Sequence, residues 1–146
     1  MEYRFYGADD CEVSALNDVY PGIRDPKDLY TALSDIWAED TCAPRMRRDW
    51  KRKHPSYGQC SITAFLVQDI FGGRVYGVPL EDGNYHCFNV VNGHVFDLTS
   101  EQFDRKLDYD LDHEQYREIH FAKAEKKERY ELLKQRLKEY CEKKKS

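Results

Sequence analysis

The sequence predicts an α+β fold on three observations. Residues 58–73 run Gly-Gln-Cys-Ser-Ile-Thr-Ala-Phe-Leu-Val-Gln-Asp-Ile-Phe-Gly-Gly, a stretch apolar on nearly every side, as expected of a helix buried in a core. Two β-rich runs, Tyr85 to Val91 and His94 to Thr99, are joined by Asn92-Gly93, the strongest short hairpin signal. Flanking segments 26–39 and 122–144 carry apolar residues at helical spacing.

The length of 146 residues suits a single domain with a real core. With 40% hydrophobic, 34% charged and 14% aromatic residues, the chain is neither disordered in bulk nor built to span a bilayer, and no apolar run approaches the roughly 20 residues a span needs. The first ten residues lack the basic start and apolar run of a secretory signal, so a cytoplasmic protein is expected. Five cysteines without C-x-x-C spacing indicate neither a disulfide framework nor a zinc knuckle. The net charge of −4 conceals a basic tail: residues 122–146 hold ten Lys/Arg against five Glu. Such a tail reads more readily as a solvated helix face than as a nucleic-acid contact.

Taken in order, residues 1–24 are tyrosine-rich and acidic and predict a strand or short ordered arm. Asp25-Pro26 supplies an N-cap followed by proline at the first helical position, with Leu29, Leu33, Ile36 and Trp37 on one face of a core-packing helix. Residues 40–57 read as a long irregular connection in which Arg45, Arg47, Arg48, Lys51, Arg52 and Lys53 surround Trp50. That cluster could contact an acidic partner, or be a solvated loop with Trp50 tucked into the core. The buried helix follows, opened by Gly58-Gln59-Cys60 and closed by Gly72-Gly73. Arg74 to Leu80 is a strand, Glu81 to Asn84 a turn, and the hairpin comes next. Phe103 reads as a plug into the core, residues 104–118 as irregular, and 122–144 as a docking helix with Tyr130, Leu133, Leu137, Tyr140 and Cys141 inward.

Chemistry concentrates at Cys60 and the hairpin. At a helix N-terminus, unpaired N–H groups and the helix dipole favour a thiolate, the form a nucleophile needs; the plainer alternative is a small buried hydrophobe. A two-residue Asn92-Gly93 loop sets Val91 opposite His94 and Val90 opposite Val95. His86, Phe88, Val90, Val95, Asp97 and Thr99 then share one face, and Cys87, Asn89, Val91, His94, Phe96 and Leu98 the other. His86 and Asp97 become diagonal neighbours, roughly 5 to 8 Å apart at Cβ and within reach of a hydrogen bond. If the buried helix covers the Phe88, Val90, Val95 face, its N-terminus lies over His86 and a Cys60, His86, Asp97 triad assembles. A half-buried His–Asp pair with a structural role is the alternative. A metal site of the same three residues is less favoured, because scattered ligands without local spacing are a weak signal.

These residues also carry a family resemblance. Tyr57-Gly58-Gln59-Cys60 is similar to the nucleophile motif of transglutaminases, and the order Cys60, His86, Asp97 resembles that of the transglutaminase-like branch of the papain-like fold. More closely, residues 55–103, with Gly58-Gln59-Cys60, Phe71-Gly72-Gly73, His86, Asn89, Gly93, Asp97-Leu98-Thr99 and Gln102-Phe103, together with Trp50 just upstream, resemble the YunG-like family of small bacterial proteins. The chain departs from working transglutaminases: Ser61 stands where they have tryptophan, and no calcium-ligand cluster is visible.

The resemblance implies a papain-like minimal core and thiol-dependent acyl chemistry on a peptide or a small amide or ester, without cofactor, metal, membrane or nucleic acid. Cys60 would be the nucleophile, His86 the general acid/base and Asp97 its orienter, with the Cys60 N–H as one oxyanion donor and Gln59, Gln102 or Trp50 as the second. The rival expectation is a non-catalytic binding module of the same fold, with Trp50 and the 45–53 loop as its contact surface.

Overall fold

The computed structural model describes residues 4–103 and 105–145. It is α+β, with helices packed on a small antiparallel sheet. Helix α1 spans Pro26–Ile36, its start fixed by Asp25, whose carboxylate accepts from the Asp28 N–H at 2.9 Å. It stops short of the predicted Glu39 because Trp37 turns extended, its ring buried and its Nε1 donating to Thr63 Oγ1 at 3.0 Å. The 40–57 connection is less irregular than expected, folding into two 3₁₀ turns, Glu39–Thr41 and Pro44–Asp49.

Helix α2, Cys60–Phe71, has the predicted bounds, and nine of its twelve residues are buried. Gly72 (φ +82°) and Gly73 (φ +74°) end it in left-handed backbone. Strands β1 (Arg74–Pro79), β2 (Tyr85–Val91), β3 (His94–Phe96) and β4 (Glu114–Gln115) form a sheet of order β3-β2-β1-β4. The β2–β3 register is the one Asn92-Gly93 predicts, with Val91 opposite His94 and Val90 opposite Val95. Asn92 (φ +51°) and Gly93 (φ +81°) are both left-handed, as a type I′ loop requires.

Three expectations need correction. Helix α2 covers the opposite face of the hairpin from the one assigned to it: Cys87, Val91, Phe96 and Leu98 lie in the main core with Ile62, Phe65 and Leu66, and the Asn89 amide donates to Ala64 O at 2.9 Å. Phe88, Val90 and Val95 instead join a second, smaller cluster with Val78, Tyr76, Phe103, Leu107 and Tyr109. The stretch read as irregular therefore covers this face through Leu107 and Tyr109 and contributes β4 to the β1 edge. Finally, β3 ends at Phe96 rather than Thr99, because Asp97 leaves β2 and pairs with Tyr6 of the N-terminal arm, its N–H donating to Tyr6 O at 3.0 Å. Residues 4–24 thus form an ordered arm with a single bridge in place of a strand.

The short helix α3 (Arg117–His120) leads into α4 (Ala124–Lys145). Tyr130, Leu133, Leu137 and Cys141 are buried on α1 and α2, with Tyr140 partly covered. Helix α4 continues through Lys145; Ser146 lies outside the described residues. Among the described residues, no helix is long and apolar enough to cross a membrane.

Candidate active site

Cys60 is the first residue of α2 and is partly exposed, whereas Cys11, Cys42, Cys87 and Cys141 are buried. Gly58 (φ +72°) turns the chain into the helix so tightly that a Cβ there would collide with the Cys42 sulfur, which explains glycine at this point of the Gly-Gln-Cys entry.

Although α2 lies on the far side of the sheet from His86, Cys60 still reaches it. Val91 and Asn89 pair with His94 and Phe96 along one edge of β2; two residues further, at Cys87, that pairing has ended. In an antiparallel strand the N–H groups of alternate residues point to the same edge, so the Cys87 N–H faces the place that β3 vacates. The start of α2 occupies it, which brings the Cys87 N–H and the His86 side chain close enough to the Cys60 sulfur to favour its thiolate.

His86 and Asp97 are both buried, and His86 Nε2 lies 2.6 Å from Asp97 Oδ2. The carboxylate is fully engaged. Oδ2 also accepts from the Tyr109 hydroxyl at 2.8 Å, while Oδ1 accepts from the Thr99 N–H at 3.1 Å and the Thr99 hydroxyl at 3.2 Å. With Nε2 bound to Asp97, His86 has Nδ1 left to face Cys60, beside the Gln102 amide nitrogen at 3.5 Å. Phe103 packs edge-on against the imidazole, with centroids 4.7 Å apart. The three side chains stand in series rather than converging on a point.

This geometry sets the protonation states. Burial opposes a charged imidazole, but the Asp97 carboxylate beside it, reinforced by Cys60, outweighs burial and pushes His86 up to about 10. Burial likewise opposes a thiolate at Cys60; the hydrogen bond and charge of His86, with the Cys87 N–H, outweigh it and hold the thiol below its ordinary range. Both shifts favour the imidazolium–thiolate form of the pair over the neutral one. Cys42 shows what burial does without such partners: its thiol is pushed up to about 11.

Of the three side chains expected near an oxyanion, two are engaged elsewhere. Trp50 is half-buried in its own loop, its Nε1 donating to Pro55 O at 3.1 Å with Arg52 stacked on the ring, and it joins neither core cluster. Gln59 is fully buried with its Nε2 donating to Ala38 O at 3.0 Å; its Oε1 has no hydrogen-bond partner. Gln102 stands at the imidazole, its amide donating to Thr99 O at 3.1 Å and accepting from the Gly58 N–H at 3.2 Å. The basic 45–53 loop does not focus on Cys60 as a unit: Arg47 donates to the carbonyls of Glu39, Asp40 and Cys42, while Arg45 reaches Asp82 at 3.7 Å.

The YunG protein family model matches residues 25–142, most of the chain and all of this site. The chain belongs to the YunG family. It is 42% identical over 60 residues to the uncharacterized protein YunG of Bacillus subtilis (strain 168), a match covering 41% of the chain and 51% of that relative. The chain thus spans about half the length of the relative it matches. No solved structure matches. These matches lend no support to a transglutaminase relationship.

Sequence reasoning missed several residues around this YunG-family site. Thr99 was legible in principle, since an aspartate followed two residues later by threonine is a common local cap of a carboxylate. Tyr109 lies in an acidic stretch with no periodicity and carried no signal. Lys126, which lines the cavity beside Cys60, read as part of a solvated helix face, and His120 on the same cavity carried no signal.

Proposed function

We propose that this YunG-family chain is a thiol-dependent acyl-transfer enzyme acting on an amide or ester. The observation that carries the reading is the Cys60–His86–Asp97 series: a partly exposed sulfur at a helix N-terminus, beside a buried imidazole that is itself bonded at 2.6 Å to a buried carboxylate. The Cys60 thiolate attacks the acyl carbon and forms the C–S bond. The oxyanion is met by the Cys60 N–H and by the Gln102 amide hydrogen not given to Thr99. The His86 imidazolium donates its Nδ1 proton to the leaving amine or alcohol as that bond breaks. A water or acceptor nucleophile then yields a proton to Nδ1 and attacks the thioester, freeing the thiolate. Asp97 holds the tautomer throughout.

A papain-like core is the finer fold reading. It is supported by a nucleophile at the start of a buried helix, followed in the chain by a strand histidine and a carboxylate. The test is alkylation of Cys60 by iodoacetamide, followed by peptide mapping. Cys60 should react selectively, with a rate that stays high below pH 8 and falls sharply in His86→Ala. A rate no faster than that of cysteines in the unfolded chain would end the enzyme reading.

A further inference from the structure

Cys60 opens onto a cavity of about 540 Å³ whose charged lining is chiefly basic, with Arg45, Lys123, Lys126 and Arg129 set against Glu125. Both arginines are committed: Arg129 to Glu125 and to Thr41 O, Arg45 to Asp82. Lys126 is different. It is partly buried, and its Nζ donates to His120 Nδ1 at 2.9 Å, while His120 Nε2 lies 2.9 Å from Gln115 Oε1. Since Gln115 Oε1 can only accept, that contact places the His120 proton on Nε2, and Nδ1 receives the ammonium as a neutral base. Burial, then the charges of Lys126 and Lys123, keep His120 neutral, down to about 4.

Lys126 is therefore held in place by an uncharged acceptor. Among the described residues no carboxylate pairs with it. A partly desolvated ammonium with no carboxylate beside it is stabilised when a ligand supplies one. Burial lowers the Lys126 ammonium, and the Cys60 sulfur on the same cavity works against that shift. With the guanidinium forks engaged elsewhere and Lys123 exposed, Lys126 is the one partly buried ammonium lining the cavity, and a single such charge suits a monoanion better than a phosphate, which draws bidentate arginine.

We propose that this cavity is the substrate's anion subsite: the acyl compound attacked by Cys60 carries a carboxylate that pairs with Lys126, held in position by His120. The inference rests on the acyl-transfer reading, and the two can fail separately. Iodoacetate and iodoacetamide are near-isosteric, one anionic and one neutral. The ratio of their rates at Cys60, divided by the same ratio for 2-mercaptoethanol, reports the subsite, while the iodoacetamide rate alone reports the thiolate.

The normalised ratio should favour iodoacetate by about tenfold, fall to within about twofold of the reference thiol in Lys126→Gln, and be kept in Lys126→Arg. A ratio unchanged in Lys126→Gln overturns the subsite whatever the absolute rates. A slow iodoacetamide rate with the ratio intact overturns the nucleophile and leaves the anion site standing. Should Lys126→Gln fail to fold, protection of the wild type decides. Succinate should slow iodoacetamide alkylation of Cys60 where succinamide does not, and equal protection by both, or by neither, refutes the proposal.

Discussion

Asp97→Asn is the sharpest perturbation of the site, because it removes charge while keeping shape. The rise of His86 from its ordinary 6.5 to about 10 corresponds to stabilisation of the imidazolium on the order of 5 kcal/mol. Asp97, in contact at 2.6 Å, is its largest favourable source. Unit charges centred about 4 Å apart, at an effective dielectric near 20, give roughly 4 kcal/mol, so losing the carboxylate's charge is enough to cancel most of the net rise.

Asparagine can be accommodated by reversing two bonds. Its Nδ2 donates to His86 Nε2 and to a rotated Tyr109 hydroxyl, while Oδ1 keeps both bonds from Thr99. The imidazole is then neutral with its proton on Nδ1, the wrong tautomer to accept the thiol proton. Burial, no longer opposed by an imidazolium, raises the Cys60 thiol. At pH 7 the iodoacetamide rate at Cys60 should drop by at least about tenfold, with the inflection of the pH–rate curve moving to ordinary thiol values or above. Circular dichroism and a thermal melt check that the fold is kept. A folded variant with an unchanged pH–rate curve would refute the chain of influence from carboxylate to sulfur.

Two further outcomes concern stability. Phe88 is fully buried among Tyr76 and Tyr109, with ring centroids at 6.2 and 4.9 Å, so Phe88→Ala should cost about 3 to 5 kcal/mol in urea unfolding, against a change within about 1 kcal/mol for Cys60→Ser. The pH dependence of stability should separate the two partners of the pair. The raised His86 contributes stability that is fully present below 6.5 and is lost as the pH climbs toward about 10; the lowered Cys60 contributes stability present above 9.0 and lost as the pH falls through its folded value. Between pH 6.5 and 9 these trends oppose each other in the wild type. Cys60→Ser removes the second, so its stability should fall with pH more steeply than the wild type's, and parallel curves would show that the two groups are not coupled.

What could be read from the residues, and what could not, divides along a physical line. Local chemistry was legible. Glycines at both ends bounded α2, Asn92-Gly93 set the hairpin register, and alternation then put His86 and Asp97 on one face, where they are 2.6 Å apart. The face that α2 covers was not legible, because both faces of β2 are largely apolar. Cys87 and Val91 compete with Phe88 and Val90, and the one polar residue on the helix side, Asn89, is satisfied by the Ala64 carbonyl. Packing of Leu107 and Tyr109 decided the matter, in a run of mixed charges without periodicity that masks both contacts. The contact of Cys60 with His86 survived the wrong face because it depends on where β3 ends.

The N-terminal arm has a practical consequence. Asp97 takes its backbone partner from Tyr6, whose N–H in turn donates to Ser100 Oγ at 2.8 Å and whose ring lies 4.2 Å from that of Tyr109. These contacts come from residues upstream of the family-matched region, which begins at residue 25. A shortened protein trimmed to that region would keep Cys60, His86 and Asp97, yet expose the flank on which the carboxylate and its tyrosine rest. Loss of Cys60 reactivity in such a fragment would then report a missing brace rather than a missing site residue. A bulky tag fused close to Tyr6 invites the same misreading.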